Sequence, residues 1–198
     1  LGLQVVPSTA QQGGFKPAKD ITPRSNPAKI EVVEFFWYGC PHCYSFEPLV
    51  QAWKKKLPSD VSFKQVPVGW PSKRVNYEGH QKIFYTLDAM GLLKTHHAKV
   101  FDAMHKDKKL LADDAQIFDF AESVGINRTD FANQFKSFAV ATKCNQATAL
   151  AAAYGVDGVP AMGVDGRYLT SASVAGSDQD ALRVVDTLIL RQRQNGGK

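Results

Sequence analysis

The sequence predicts an α/β fold in which a β-α-β opening and a β-β-α ending are separated by a long run of helices. Three observations carry this. Ile30 to Trp37 (I-E-V-V-E-F-F-W) is a nearly continuous β-branched and aromatic run, as expected of a central strand covered on both faces. Between Tyr77 and Tyr154 the apolar residues recur at helical spacing. Asp165-Gly166, a strong two-residue hairpin signal, sits between two short strand-like segments.

In chain order, residues 1–29 mix Pro, Gln, Gly and Ser with little periodicity and read as an extended arm and loop. The strand from Ile30 ends at Gly39. From about Cys40 to Leu57, Phe46, Leu49, Val50, Trp53 and Leu57 mark one face of a helix, with Pro48 inside it removing a backbone donor. Val61 to Val68 reads as a second strand, where Pro67 is acceptable near the end or at an edge. Five helical segments follow: Tyr77 to Met90, Leu92 to Met104, Asp113 to Val124, Thr129 to Phe138 and Ala139 to Tyr154. Gly91, Gly125 and Gly155 are placed just past helix ends, and Asp113 with Gln116 resembles a capping box. Val159 to Val164 and Arg167 to Thr170 flank the hairpin turn. Asp178 to Arg191 is the last helix, acidic at its start and basic at its end, as the helix dipole favours.

A chain of 198 residues can bury one good core. Its 44% hydrophobic and 22% charged residues fit a globular protein, and no apolar run reaches the roughly 20 residues that span a bilayer. The formal charge of +5 is scattered, and the densest run, Lys54-Lys55-Lys56, reads as the solvated end of a helix, so no nucleic-acid function is expected. Leu1 is not an initiator Met, and a signal peptide is expected to be missing from the chain.

The chemistry is concentrated in Gly39-Cys40-Pro41-His42-Cys43. Three residues apart at a strand-to-helix junction, the two cysteines fall on one helical face, compatible with a disulfide. Unpaired N–H groups at the helix start favour the Cys40 thiolate, and His42 adds to this; Cys43, deeper in the helix, has less such help. A stabilised thiolate holds down the reduced form, so the pair should act as an oxidant. The competing reading, a structural zinc site, needs two further ligands. Cys144 and four histidines remain (His80, His96, His97, His105), without a second paired motif, and those histidines are expected at the surface; no metal or other cofactor is expected. Cys144 reads as a small buried hydrophobe. Trp37, Tyr38, Trp70 and Met162 read as core and groove-lining residues.

A C-P-H-C motif after an apolar strand, followed far downstream by Gly158-Val159-Pro160 at a strand start, resembles the DsbA family of the thioredoxin superfamily, over about Lys29 to Leu190. The resemblance implies a thioredoxin fold, residues 1–70 joined with 148–198, interrupted by a helical domain at 71–147. It implies a cis Val159–Pro160 peptide facing a redox-active Cys40–Cys43 disulfide, with Val159 free to pair with an extended substrate. Glu34 interrupts the central strand on the side of Val32 and Phe36; a buried carboxylate needs a partner or becomes neutral. In the resembled family an acid here relays the proton of the buried cysteine. Simple alignment puts Gln65 where that family usually has a basic partner, with Lys64 one residue away on the other face. The resemblance further implies a monomeric periplasmic oxidase that acts on reduced, unfolded secreted proteins and is reoxidised by a quinone-linked inner-membrane protein of the DsbB type. A reductase or isomerase on the same fold is the nearest alternative, and a peptide-binding holdase or glutathione-transferase-like protein is the alternative from another class.

Overall fold

The computed structural model describes residues 13–196. Five strands form one sheet in the order β1-β5-β4-β2-β3. The strands are β1 (Lys16–Pro17), β2 (Ile30–Phe36), β3 (Val61–Pro67), β4 (Ala161–Val164) and β5 (Tyr168–Thr170). The helices are α1 (Pro41–Lys54), α2 (Tyr77–Ala89), α3 (Leu93–His105), α4 (Asp114–Ser123), α5 (Arg128–Phe135), α6 (Phe138–Tyr154), α7 (Ala172–Ala175) and α8 (Asp178–Asn195).

Every residue of β2 is buried, which accounts for its largely apolar character, interrupted only by Glu31 and Glu34. It pairs parallel with β3 and antiparallel with β4. Alternate residues serve the two faces. Ile30 and Val32 pack with Phe46 and Val50 of α1 and with Val185, Leu188 and Ile189 of α8. Val33 and Phe35 pack with Ala147, Ala151 and Tyr154 of α6 on the other side. Phe36, at the end of the strand, enters a third cluster built from α2 to α5, with Phe84, Phe101, Ile117 and Phe131. Thus the strand that leads into the cysteine motif ends where sheet and helical insertion meet. Helix α6 runs unbroken through residues 147 and 148.

Local signals behave as their chemistry requires. Gly91, Gly125 and Gly155 all have positive φ just beyond helix ends. Asp113 caps α4 by accepting from Gln116 N, while Gln116 Oε1 accepts from Ala112 N, one residue earlier than in an ordinary capping box. Asp165 and Gly166 have φ of 60° and 66°, the paired left-handed conformations of a type I′ turn. Pro67 closes β3 at the sheet edge, and Lys54, Lys55 and Lys56 are exposed at the end of α1.

Several boundaries moved. The first twelve residues of the predicted arm lie outside the described residues; within the remainder, β1 adds an edge strand on β5. Two residues carry no alternation to read, and Pro17 is tolerated only because β1 is at the edge. Helix α7, a single turn, is too short to show a period. Helices α5 and α6 are separated at Lys136-Ser137 because Ser137 Oγ accepts from Val140 N and starts a new helix. Phe138 then opens α6 at 87% exposure instead of closing the preceding helix. Helix α8 continues to Asn195, and Arg193 in its last turn donates to both carboxylate oxygens of Asp60 at 2.6 and 2.8 Å.

Behind the hairpin, Arg24 donates to both oxygens of buried Asp165, at 2.5 and 2.7 Å. Removing one member of such a pair leaves an uncompensated buried charge. Arg24→Ala is therefore expected to cost about 3 kcal/mol in urea unfolding, and Asp165→Asn in the same background should recover part of it.

Candidate active site

Cys40 is the N-cap of α1, with extended φ and ψ of −82° and 118°, and Pro41 follows in the first turn. A proline there forfeits a donor that has no helical partner anyway. Cys40 is half-buried and Cys43 buried, and both are thiols. The Cys40 thiol lies 3.6 Å from the Val159 carbonyl oxygen, and Val159–Pro160 is cis, at the start of β4. The strand pairing of β4 with β2 thus carries residues far apart in sequence to the same sulfur. His42 is exposed and lines a groove of about 610 Å³ with Val159, Pro160, Thr170 and Ser173.

The two thiols differ strongly. The Cys43 thiol donates to Cys40 and, with the N–H groups of Cys43 and His42 and the His42 charge, outweighs burial and lowers the Cys40 thiol to about 6. Burial pushes the Cys43 thiol far up, and the neighbouring Cys40 and Glu34 charges push it further. At neutral pH the pair therefore holds its negative charge on Cys40.

Beneath them lies a polar line that crosses the elements. Glu34 is fully buried in register with Gln65 of β3. Gln65 Nε2 donates to Glu34 Oε2 at 2.8 Å and to Glu47 Oε2 of α1 at 2.9 Å. Glu47 Oε1 is 3.4 Å from His97 Nε2 of α3, and His97 Nδ1 is 2.7 Å from the Tyr38 hydroxyl. Burial, the Glu47 charge and, in opposition, the Gln65 amide bring Glu34 to about 8. Lys64 points to the opposite face and pairs with Glu31 at 3.2 Å.

A sequence model of the DSBA-like thioredoxin domain matches residues 50–184. The thiol:disulfide interchange protein DsbA of Pseudomonas syringae pv. tomato is 45% identical over 173 residues, covering 86% of this chain and 78% of that protein. DsbA of Bordetella parapertussis is 41% identical over 191 residues, covering 95% of this chain and 90% of its own length. The chain belongs to the DsbA family of thiol:disulfide oxidoreductases. The crystal structure of Pseudomonas aeruginosa DsbA superposes with a TM-score of 0.88 at 39% identity, covering 94% of this chain and 95% of that one. The thioredoxin fold is shared.

Against this DsbA-family frame the predicted site residues fall into two groups. Cys40 lies against Val159, which shares a groove with His42 and Pro160; Pro41 is exposed beside them, and Cys43 and Glu34 are buried in the interior. The histidines require correction. Of the four outside the cysteine motif, His80 and His97 are buried, 2% and 7% exposed, and His96 and His105 are only partly exposed. Trp37 Nε1 donates to His80 Nδ1 at 2.8 Å, which leaves Nε2–H to donate to Leu111 O at 3.0 Å. Burial lowers the His80 pKa, consistent with this neutral ring. His105 Nε2 is 2.7 Å from Tyr38 O, and its ring stacks on Tyr44 at 4.8 Å. Helical periodicity placed these rings on helices without showing that the DsbA-type insertion turns them towards Trp37 and Tyr38.

Sequence reasoning did not single out Glu47, and it placed His97 at the surface. Glu47 follows Cys43 by four residues, and so shares its buried face; that spacing was the available signal. Cys144 is buried, and burial raises its thiol to about 12. In the folded reduced protein, iodoacetamide at neutral pH should label Cys40 and spare Cys144, which becomes labelled only on unfolding; mass spectrometry of the peptides checks this.

Proposed function

We propose that the Cys40–Cys43 disulfide is donated to reduced, newly secreted proteins. The observation that carries the reading is the opposite treatment of two thiols one turn apart, with Cys40 accessible and acidified, Cys43 buried and protonated. A substrate thiolate attacks the Cys40 sulfur, the Cys40–Cys43 bond breaks, and Cys43 leaves with the electron pair. Glu34 supplies the proton that Cys43 takes up. A second substrate thiolate then attacks the substrate sulfur and expels Cys40 as its stabilised thiolate. The substrate is oxidised by two electrons and the cysteine pair reduced. Val159, beside Cys40 and opening on the groove, is assigned to pairing with the extended substrate, and Pro160 to shaping that edge.

Membership of a family whose relatives are named thiol:disulfide interchange proteins supports a periplasmic site of action. It also supports reoxidation by a DsbB-type membrane partner, with the chain acting as a monomer. Among the described residues no helix is long and apolar enough to cross a membrane. We assign residues 1–70 and 148–198 to the thioredoxin-like domain and 71–147 to the helical one.

The test is equilibration against glutathione buffers with the thiols trapped by alkylation. An oxidising midpoint is expected, and a strongly reducing one would replace this reading with a reductase. Glu34→Gln provides a second check. A carboxyl raised in the folded state contributes fully below its unfolded pKa near 4.5, and that contribution is lost as pH rises through about 8. Glu34→Gln should therefore stabilise the protein at neutral and alkaline pH by about 2 kcal/mol while slowing the step in which Cys43 leaves by about tenfold. Stability and single-turnover rates as a function of pH would show both.

A further inference from the structure

The polar line from buried Glu34 through half-buried Gln65 to Glu47, His97 and Tyr38 extends well beyond what the exchange chemistry above uses. It contains two carboxylates joined by a single amide nitrogen. An amide donor eases the burial of a carboxylate without neutralising it, so two such groups need a cation or share a proton.

Their surroundings differ. Glu34 Oε1 meets no hydrogen-bond partner among the described residues, its other oxygen accepts from Gln65, and the titratable groups it feels are Glu47 and the Cys43 thiol. Glu47 also receives Gln51 Nε2 at 2.7 Å and faces His97 Nε2 at 3.4 Å. It opens on a groove lined by Lys54, Lys94 and Asp88, from α1, α3 and α2. His97 is enclosed by the rings of Phe36, Phe84 and Phe101. His97 Nδ1 is paired with the Tyr38 hydroxyl at 2.7 Å, and Nε2, which meets no hydrogen-bond partner among the described residues, faces Glu47 Oε1 at 3.4 Å.

We infer that His97 is a positioning residue for disulfide exchange: from α3 it keeps Glu47 the ionised member of the carboxylate pair and so confines the shared proton to Glu34. The inference rests on the relay role proposed for Glu34. The electrostatics run the same way. Burial alone would raise Glu47, yet His97, Gln51 and Gln65 together hold it below its ordinary value, and the resulting charge helps raise Glu34. The helical insertion would thereby set the protonation of a group in the sheet.

Infrared spectroscopy of the reduced protein at neutral pH tests this without any turnover, so its outcome is separate from that of the exchange reading. The protonated-carboxyl band of the wild type should vanish in E34Q; in E47Q it should remain on Glu34 with its titration moved to lower pH, because the Glu47 charge that helps raise Glu34 is gone. With H97F the band should be divided, each carboxylate variant removing about half of it. H97Q, which retains an N–H donor and conserves the fold if H97F does not, should lie between. In turnover, H97F should lose about twofold at neutral pH, and its profile should slope on the acid side where the wild type is flat. The inference is overturned if E34Q leaves the wild-type band in place, or if H97F and H97Q leave the band wholly with Glu34 and the pH profile unmoved.

Discussion

Cys40→Ser is expected to reduce exchange by at least about 10³-fold, to the background of the uncatalysed reaction, whereas Cys43→Ser should retain a reactive Cys40 and stop at a mixed disulfide. The difference follows from exposure. Cys40 is half-buried beside Val159, while Cys43 is wholly buried in the apolar cluster and out of reach of a substrate. Cys43→Ser should therefore accumulate adducts with oxidised glutathione, visible by mass spectrometry. Cys43→Ala separates a further effect. The largest influence on Cys40 is the hydrogen bond from Cys43, which a serine hydroxyl can replace and a methyl cannot. Thiolate absorbance should place the Cys40 titration near about 6 in the serine variant and clearly higher in the alanine variant. Equal titrations would assign the effect to the helix start alone.

The stability of the reduced protein should fall with pH in a way that the oxidised protein does not share. Cys40 titrates near about 6 in the folded state against an ordinary value of 9.0. A depressed acid contributes stability that is complete above the unfolded value and is lost as pH falls through the folded one, so the window runs from about 9 down to about 6. The full depression from 9.0 to about 6 would convert to about 4 kcal/mol, but the sulfur is half open to water, and about 2 kcal/mol is the expected change. The disulfide form has no thiol to ionise. Urea midpoints of both forms across this range should converge on acidification, and parallel curves would contradict the account. The same thiolate stabilisation, acting on the reduced form alone, gives the couple its oxidising direction.

Much of this was legible in the residues. The run from Ile30, the helical start at Cys40, the turn at Asp165-Gly166 and the helix-ending glycines each depend on local sterics and on short-range periodicity. They survive in the structure within a few residues. The parity argument for Glu34 and its alignment with Gln65 also held, because a parallel register transmits side-chain alternation from one strand to the next. The misplaced histidines have a common cause. His80, His97 and His105 lie on helices whose rotation about their axes is decided by the whole insertion, so a sequence period names their element without naming what they face.

The sequence by itself determined the redox pair, the element that carries it and the acid on the strand behind it, since all three follow from spacing along one continuous stretch. Only the tertiary structure decided what those groups experience. The sheet pairing that sets Val159 beside Cys40, the amide of Gln65 between two carboxylates and the ring of His97 on Glu47 all join residues separated by tens of positions. Charge on a buried group depends on every dipole and charge around it, and those neighbours exist together only once the chain has closed upon itself.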